Sequence, residues 1–159
     1  MIKKILVYVL VVIVLIIAGA LVFGLLNPSI SYETRLEINK PRDVVWKYFT
    51  DETKMSEWLD GFQKIELISG NKNEVGSQYR MTFVEDGREI VMTETVKEFN
   101  PGERFAFHLE NEVISVDSEI TLTDVEGKTL FTEKDTAVGG NILWRILFAA
   151  MKSTFQEKS

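Results

Sequence analysis

The chain has 159 residues, of which 18 are basic and 24 acidic, with one histidine and no cysteine. The missing cysteines exclude disulfides and thiolate metal sites, and a single histidine leaves too few residues for most zinc or Ser-His-Asp chemistry, so no metal or cofactor is expected. Residues 1–26 hold two lysines and no acid, so the remainder has 16 basic and 24 acidic residues, a net charge of −8 that argues against nucleic-acid binding.

The N-terminal segment is long and apolar. Residues 5–26 contain no charged side chain, and as a helix at about 1.5 Å per residue they would be about 33 Å long, enough for a hydrocarbon core of about 30 Å. We predict a transmembrane anchor over residues 1–26 and a short tether over residues 27–30. Lys3 and Lys4 place the N-terminus in the cytoplasm and the rest of the chain outside it.

A cleaved signal peptide is the alternative for this segment. Lys3 and Lys4 form a charged start, and Ala18-Gly19-Ala20 has the small-x-small form of a cleavage site. The apolar run continues for six residues beyond Ala20, however, where a mature chain would normally become polar. An uncleaved, single-pass anchor is therefore the favoured interpretation.

Residues 31–159 are predicted to form one domain. Alternating apolar and polar residues indicate a strand over 31–38, and Pro41 then opens a helix, followed by a helical turn over 54–59. Turn residues, including Asp86-Gly87, divide the following stretch into six strands. These are expected at 62–68, 77–85, 88–99, 103–109, 113–124 and 128–137.

A last helix is predicted over residues 141–157, after Gly139-Gly140. The expected fold is α+β, with a curved seven-stranded antiparallel sheet around this helix. The helix has a broad apolar surface and one polar stripe. We expect Leu147 to face the sheet and Arg145, on the polar stripe, to face solvent.

Three stretches of this sequence resemble the START-related superfamily, also called SRPBCC or the polyketide cyclase/dehydrase-like group. They are LEINKPRDVVWKYFTD, then EWLDGFQKIELISG with VGSQYRMTF, then TETVKEFNPGERFAF. The resemblance implies a helix-grip fold, in which a long helix lies across a curved sheet. An N-terminal membrane helix joined to such a domain resembles a bacterial subgroup of the family. The motifs specify the fold rather than an activity.

Large apolar side chains are the candidate ligand-binding residues, because they are expected near the space between sheet and helix. Methionine suits variable ligands, although it often simply fills a core. The same alternative holds for the aromatic residues, which could pack the interior or face a cavity. The candidate set is Trp58, Tyr79, Met81, Phe83, Met92, Phe107, Trp144, Phe148 and Met151.

Glu94 is the one carboxylate that alternation places with inward apolar residues, namely Ile90, Met92 and Val96. A carboxyl group in an apolar groove would have a raised pKa and could orient a polar ligand group or act as a general acid. Pairing with Arg80 or Arg88 is the alternative. His108 is expected on the outer, solvated face of the sheet, where a catalytic role is disfavoured.

Three functions remain open at this point. The favoured one is a membrane-anchored binding module for a small hydrophobic or lipid-like ligand that enters from the bilayer side. An enzyme of the cyclase, dehydratase or hydrolase type would need at least two converging ionisable groups, and Glu94 is the single candidate. A ligand-free protein-interaction domain would have a filled interior and a broad apolar patch outside.

Overall fold

The computed structural model describes residues 2–26 and 29–148. Helix α1 spans Ile2–Leu26, α2 spans Arg42–Phe49, a 3-10 turn covers Met55–Glu57, and a last helix, α3, is described over 142–148. The seven strands are β1 (Ser29–Ile38), β2 (Phe62–Ser69), β3 (Gln78–Glu85), β4 (Arg88–Asn100), β5 (Arg104–Glu110), β6 (Ile114–Val125) and β7 (Lys128–Gly139). The predicted strands are all present, within two residues at each end.

The strands form one antiparallel sheet in the order β1-β7-β6-β5-β4-β3-β2. Strands β2 to β7 follow one another as a meander, whereas β1 crosses to the far edge and pairs with β7. Ser29 at the start of β1 lies opposite Val138 near the end of β7. The chain therefore enters and leaves the sheet at the same end, which brings the end of α1 close to α3.

Helix α2 covers one part of the concave face of the sheet. Its inward side chains Val45 and Trp46 bury against Leu122 of β6. Ile38, Phe99, Phe105 and Phe131 pack around this cluster. Burying each such side chain contributes roughly 1.5–3 kcal/mol, so this cluster is a substantial source of the domain's hydrophobic stability.

Helix α1 is long and apolar enough over Ile5–Leu26 to cross a membrane, and a signal sequence near an N-terminus can have the same length and composition. Its large apolar side chains are exposed to the surroundings rather than packed on the sheet. Gly24, in its last turn, is buried because Ile146 of α3 lies against it. A Cβ at Gly24 would come within 2.5 Å of the Ile146 Cγ1 atom.

The predicted orientation of the C-terminal helix is wrong over residues 142–148. Leu147 is 44% exposed and Leu143 is 72% exposed, whereas Arg145 is half-buried and its Nε donates a hydrogen bond to the Gly139 carbonyl oxygen at 3.1 Å. The reason is the contact of α3 with α1, where Ile146 lies against Gly24. The Asn141 side chain caps the start of α3 by accepting hydrogen bonds from the Leu143 and Trp144 backbone N–H groups. The remainder of the predicted helix, 149–157, lies outside the described residues.

Candidate functional site

A cavity of about 100 Å³ lies between strands β3, β4 and β5 and the segment that joins α2 to β2. Its lining is predominantly apolar and aromatic. The wall from the connecting segment contains Phe49, Thr50, Glu52, Met55, Trp58 and Leu59. The wall from the strands and their loops contains Ile65, Asn73, Tyr79, Met81, Phe83, Glu94, Val96, Phe99, Phe105, Phe107 and Leu109.

Strand alternation accounts for most of the inward side chains. Tyr79, Glu94 and Leu109 lie directly opposite one another on β3, β4 and β5 and form one row across the concave face. Successive residues of a strand point to opposite faces, so Met81 and Phe107 also face the cavity. Five of the predicted ligand-binding side chains are therefore brought together here, namely Trp58, Tyr79, Met81, Phe83 and Phe107.

Phe99 lines the cavity although simple alternation from Val96 would turn it away. The pairing between β4 and β5 shifts between Val96 and Glu98, which is a β-bulge with Lys97 as the extra residue. Val96 lies opposite Phe107 and Phe99 opposite Phe105, so both stay on the concave face. The sequence carries no glycine here to mark the bulge, and alternation alone could not place Phe99.

Two polar side chains of the cavity lining, Tyr79 and Glu52, are bound to other groups of the protein. The Tyr79 hydroxyl accepts a hydrogen bond from the Asn73 backbone N–H at 2.9 Å. Glu52 forms a 2.7 Å ion pair with Lys72 near the surface. The Trp58 side chain lines the cavity and is 40% exposed, which places it at the rim, and its ring lies 5.2 Å from the Phe49 ring.

Glu94 differs from these groups because no hydrogen bond or ion pair reaches its side chain from the part of the chain that the structure describes. It is 6% exposed and lines the cavity. Burial raises the pKa of Glu94 to about 7, since the charged form loses its hydration. Arg80 and Arg88 are exposed, so neither alternative ion pair forms.

Three other predicted residues lie elsewhere. Met92 lines a separate hollow of about 440 Å³ with Phe83, Ile90 and the Asp60-Gly61 turn. Trp144 and Phe148 contact each other on α3, with ring centres 6.0 Å apart, and neither lines the cavity. Met151 is outside the described residues.

A second group of buried polar residues lies on the concave face near the other edge of the sheet. Asp135 of β7 lies opposite Tyr32 of β1 and Ser118 of β6, and Glu133 is two residues away along β7 on the same face. Burial is the main cause that raises the pKa of Glu133 to about 7, and the negative charge of Asp135 is the second cause. Burial also raises the pKa of Asp135. Burial and both carboxylates raise the pKa of Tyr32 to about 12. Sequence reasoning did not single out these residues.

The outer face agrees with the sequence prediction for His108. Its neighbours Phe107 and Leu109 line the cavity, whereas the His108 ring points outward and its Nδ1 lies 2.7 Å from the Asp117 carboxylate. Among residues 2–26 and 29–148, no group of three or more His, Cys, Asp or Glu side chains is arranged to hold a metal ion.

The curved antiparallel sheet with helices and an apolar interior cavity defines the α+β class predicted from sequence. Residues 29–158 match the family model described as polyketide cyclase / dehydrase and lipid transport. The match covers most of the chain, and the chain belongs to this family. No curated protein matches it.

Solved structures share the fold at low sequence identity. Ara h 8.0201 is 16% identical with a TM-score of 0.61, over 71% of this chain and 79% of that one. The Zhui aromatase/cyclase from Streptomyces is 12% identical with a TM-score of 0.61, over 82% of this chain and 88% of the cyclase chain. Protein CV1439 from Chromobacterium violaceum is 20% identical with a TM-score of 0.56, over 66% and 77%. These similarities support the fold.

Proposed function

We propose that the protein binds a small hydrophobic or lipid-like ligand in the cavity between β3–β5 and the α2–β2 segment, while α1 holds it at a membrane. The observation that carries this proposal is the cavity itself. It is lined by aromatic and methionine side chains with few polar groups, which is the usual composition of a site for an apolar small molecule. Lipid transport, one of the activities in the family description, is consistent with such a ligand.

An enzyme is the weaker alternative because the cavity has one buried carboxyl group among the residues that the structure describes. Acid–base catalysis on a bound substrate commonly needs a second ionisable group close to the first. Glu52, the other carboxylate of the lining, is engaged with Lys72 at the exposed rim. Glu133 and Asp135 lie on β7, three strands away from β4, and do not line this cavity. This separation favours binding over catalysis.

The connection to α1 supports a membrane location. Residues 27 and 28 join Leu26 to Ser29, and at about 3.3–3.6 Å per residue the link reaches at most about 11 Å. With α1 in a bilayer, the domain therefore lies against the lipid headgroups. The positive-inside rule, applied to Lys3 and Lys4, puts the domain on the extracytoplasmic side. A ligand would then enter from the bilayer.

Native mass spectrometry of the full chain, extracted from membranes in detergent, tests the binding function. The wild-type chain is expected to retain a small apolar molecule. Met81→Trp fills the cavity and should abolish the adduct, whereas Arg80→Trp places the same ring on the exposed outer face and should retain it. A wild-type chain without an adduct, or an equal adduct in Met81→Trp, would contradict the proposal.

Ligand uptake from vesicles tests the role of the membrane. A flexible insertion of about 20 residues after Pro28 lowers the effective concentration of the domain at the lipid surface. Uptake should slow, while binding in detergent stays unchanged. Equal uptake by both forms would show that α1 determines location and has no part in ligand transfer.

A further inference from the structure

Glu94 is a buried carboxyl group with no hydrogen-bond or ion-pair partner among residues 2–26 and 29–148, and it faces a predominantly apolar cavity. We propose that Glu94 selects ligands that combine an apolar body with one hydrogen-bond donor, a hydroxyl or an amine. This inference rests on the proposed binding function and adds the chemical class of the ligand.

Among the residues that the structure describes, none donates a hydrogen bond to the Glu94 side chain. On β3 it lies opposite Tyr79, whose hydroxyl oxygen accepts a hydrogen bond from the Asn73 backbone N–H and makes none with Glu94. On β5 it lies opposite Leu109, which has no polar side chain. The other carboxylate of the lining, Glu52, forms its ion pair with Lys72. Within the described part of the chain, no lysine, arginine or histidine lines the cavity.

A buried polar group without a partner destabilises a protein, so such groups are usually paired. Arg80 and Arg88 are close in sequence but are exposed, and no backbone N–H bonds the Glu94 side chain within the described part of the chain. A ligand donor would fill this role in the bound state. A ligand carrying only a carboxylate would instead place two acids together, which is unfavourable above neutral pH.

The side chains that line the cavity indicate which groups a ligand needs to be complementary to it. Phe107 and Met81 provide an apolar surface beside Glu94, and Phe83 and Trp58 extend it towards the rim. A ligand with its donor at one end of a ring or chain satisfies both surfaces together. A ligand of the same shape without a donor would bury apolar area and leave the carboxyl group unpaired.

Two matched probes test this selection, 2-naphthol and 2-methoxynaphthalene. They share one ring system, and the ether lacks the hydroxyl hydrogen. Equilibrium dialysis of the detergent-solubilised full chain against matched empty micelles measures binding to protein alone, and at pH 8 the Glu94 carboxyl group is mostly ionised and only accepts hydrogen bonds. The wild-type chain is expected to bind the naphthol about 10-fold more tightly than the ether, the difference made by one good hydrogen bond of about 1.4 kcal/mol.

Three variants identify the source of the preference. Glu94→Leu should remove it and bind both probes alike. Glu94→Gln keeps an oxygen acceptor and should retain part of it. Glu89→Leu makes the same change as the first variant on the exposed side of β4 and should leave the preference intact. Circular dichroism confirms that each variant is folded.

The outcomes separate this inference from the proposed function. Equal binding of both probes by the wild-type chain, or a preference that persists in Glu94→Leu, overturns the role of Glu94 and leaves the binding function standing. Binding of neither probe by the wild-type chain contradicts the binding function and this inference together.

Discussion

The concave face of the sheet has two parts that use similar residues in different ways. Under α2, Trp46 and Val45 fill the space above Leu122, and the Trp46 ring lies 5.5 Å from the Phe99 ring. Beside it, over β3 to β5, Phe107 and Met81 line a cavity instead. The same kind of aromatic side chain therefore serves as packing in one part and as a cavity wall in the other.

The difference arises from what covers each part. Helix α2 supplies two large side chains to the first, whereas the segment after α2 crosses the second with a turn and a short 3-10 helix, Met55–Glu57. Glu94, which has no partner among the described residues, lies in the second part. One part of the same concave face is therefore filled by a helix, whereas the other part retains a cavity.

Trp46→Ala should have the largest effect, because it removes the central side chain of the packed part. Large-to-small changes at such positions lower the free energy of unfolding by about 3–5 kcal/mol. Thermal and urea unfolding of the full chain in detergent would measure this loss. A loss below about 1 kcal/mol would show that the packed part is not a substantial source of stability.

Glu94→Leu should stabilise the protein at high pH. The pKa of Glu94 is raised from 4.5 to about 7 in the folded state. The contribution of this group to the free energy of unfolding is therefore intact below pH 4.5, where the carboxyl group is protonated in both states. It is lost as pH rises to about 7, and the free energy of unfolding then falls by about 3 kcal/mol at 1.36 kcal/mol per pKa unit.

The unfolding free energy of Glu94→Leu should accordingly exceed that of the wild type most at pH 8 and least at pH 4.5. Unfolding curves at both pH values measure this difference. Glu89→Leu, on the exposed side of the same strand, should show little pH-dependent difference. A gain for Glu94→Leu that does not depend on pH would mean that the carboxyl group titrates normally.

Phe107→Ala should destabilise the protein less than Trp46→Ala. The Phe107 side chain is half-buried and already borders empty space, so its removal forfeits fewer contacts, with an expected loss of about 1–2 kcal/mol. The ratio of the two losses, from the same unfolding experiments, measures the contrast between the two parts. Equal losses would show that the cavity is closed by packing in solution.

Leu147→Asp should have the smallest effect in detergent, under about 0.5 kcal/mol, because Leu147 is 44% exposed. Leu122→Asp, at a position that is 2% exposed, provides the contrasting control and should abolish folding. If the two variants unfolded alike, α3 would have to pack on the sheet as the sequence first suggested.

Much of the fold follows from local sequence signals. Turn residues such as Asp86-Gly87 and Asn100-Pro101-Gly102 mark the strand ends, and alternation correctly turns Glu94 inward and His108 outward. These features depend on neighbours in the sequence. They could be predicted because each residue's face follows from its place in a regular strand.

The features that were not predicted depend on contacts between distant segments. The bulge at Lys97 keeps Phe99 on the concave face, and it appears only when β4 is aligned with β5. The burial of Glu133 and Asp135 requires β1 to cross the sheet and cover β7. The direction of α3 depends on its contact with α1 at Gly24. No periodicity in the sequence carries this information.

The pairing of β1 with β7 also determines when the domain can fold. Ser31 and Thr136 share a hydrogen bond across these strands although they are 105 residues apart. At roughly 5–20 residues per second of synthesis, β1 must wait several seconds for its partner strand to be made. During that time β1 exposes an unpaired edge. Folding of this domain is therefore expected to be slow and to finish only after β7 is complete, as in other folds dominated by long-range strand pairing.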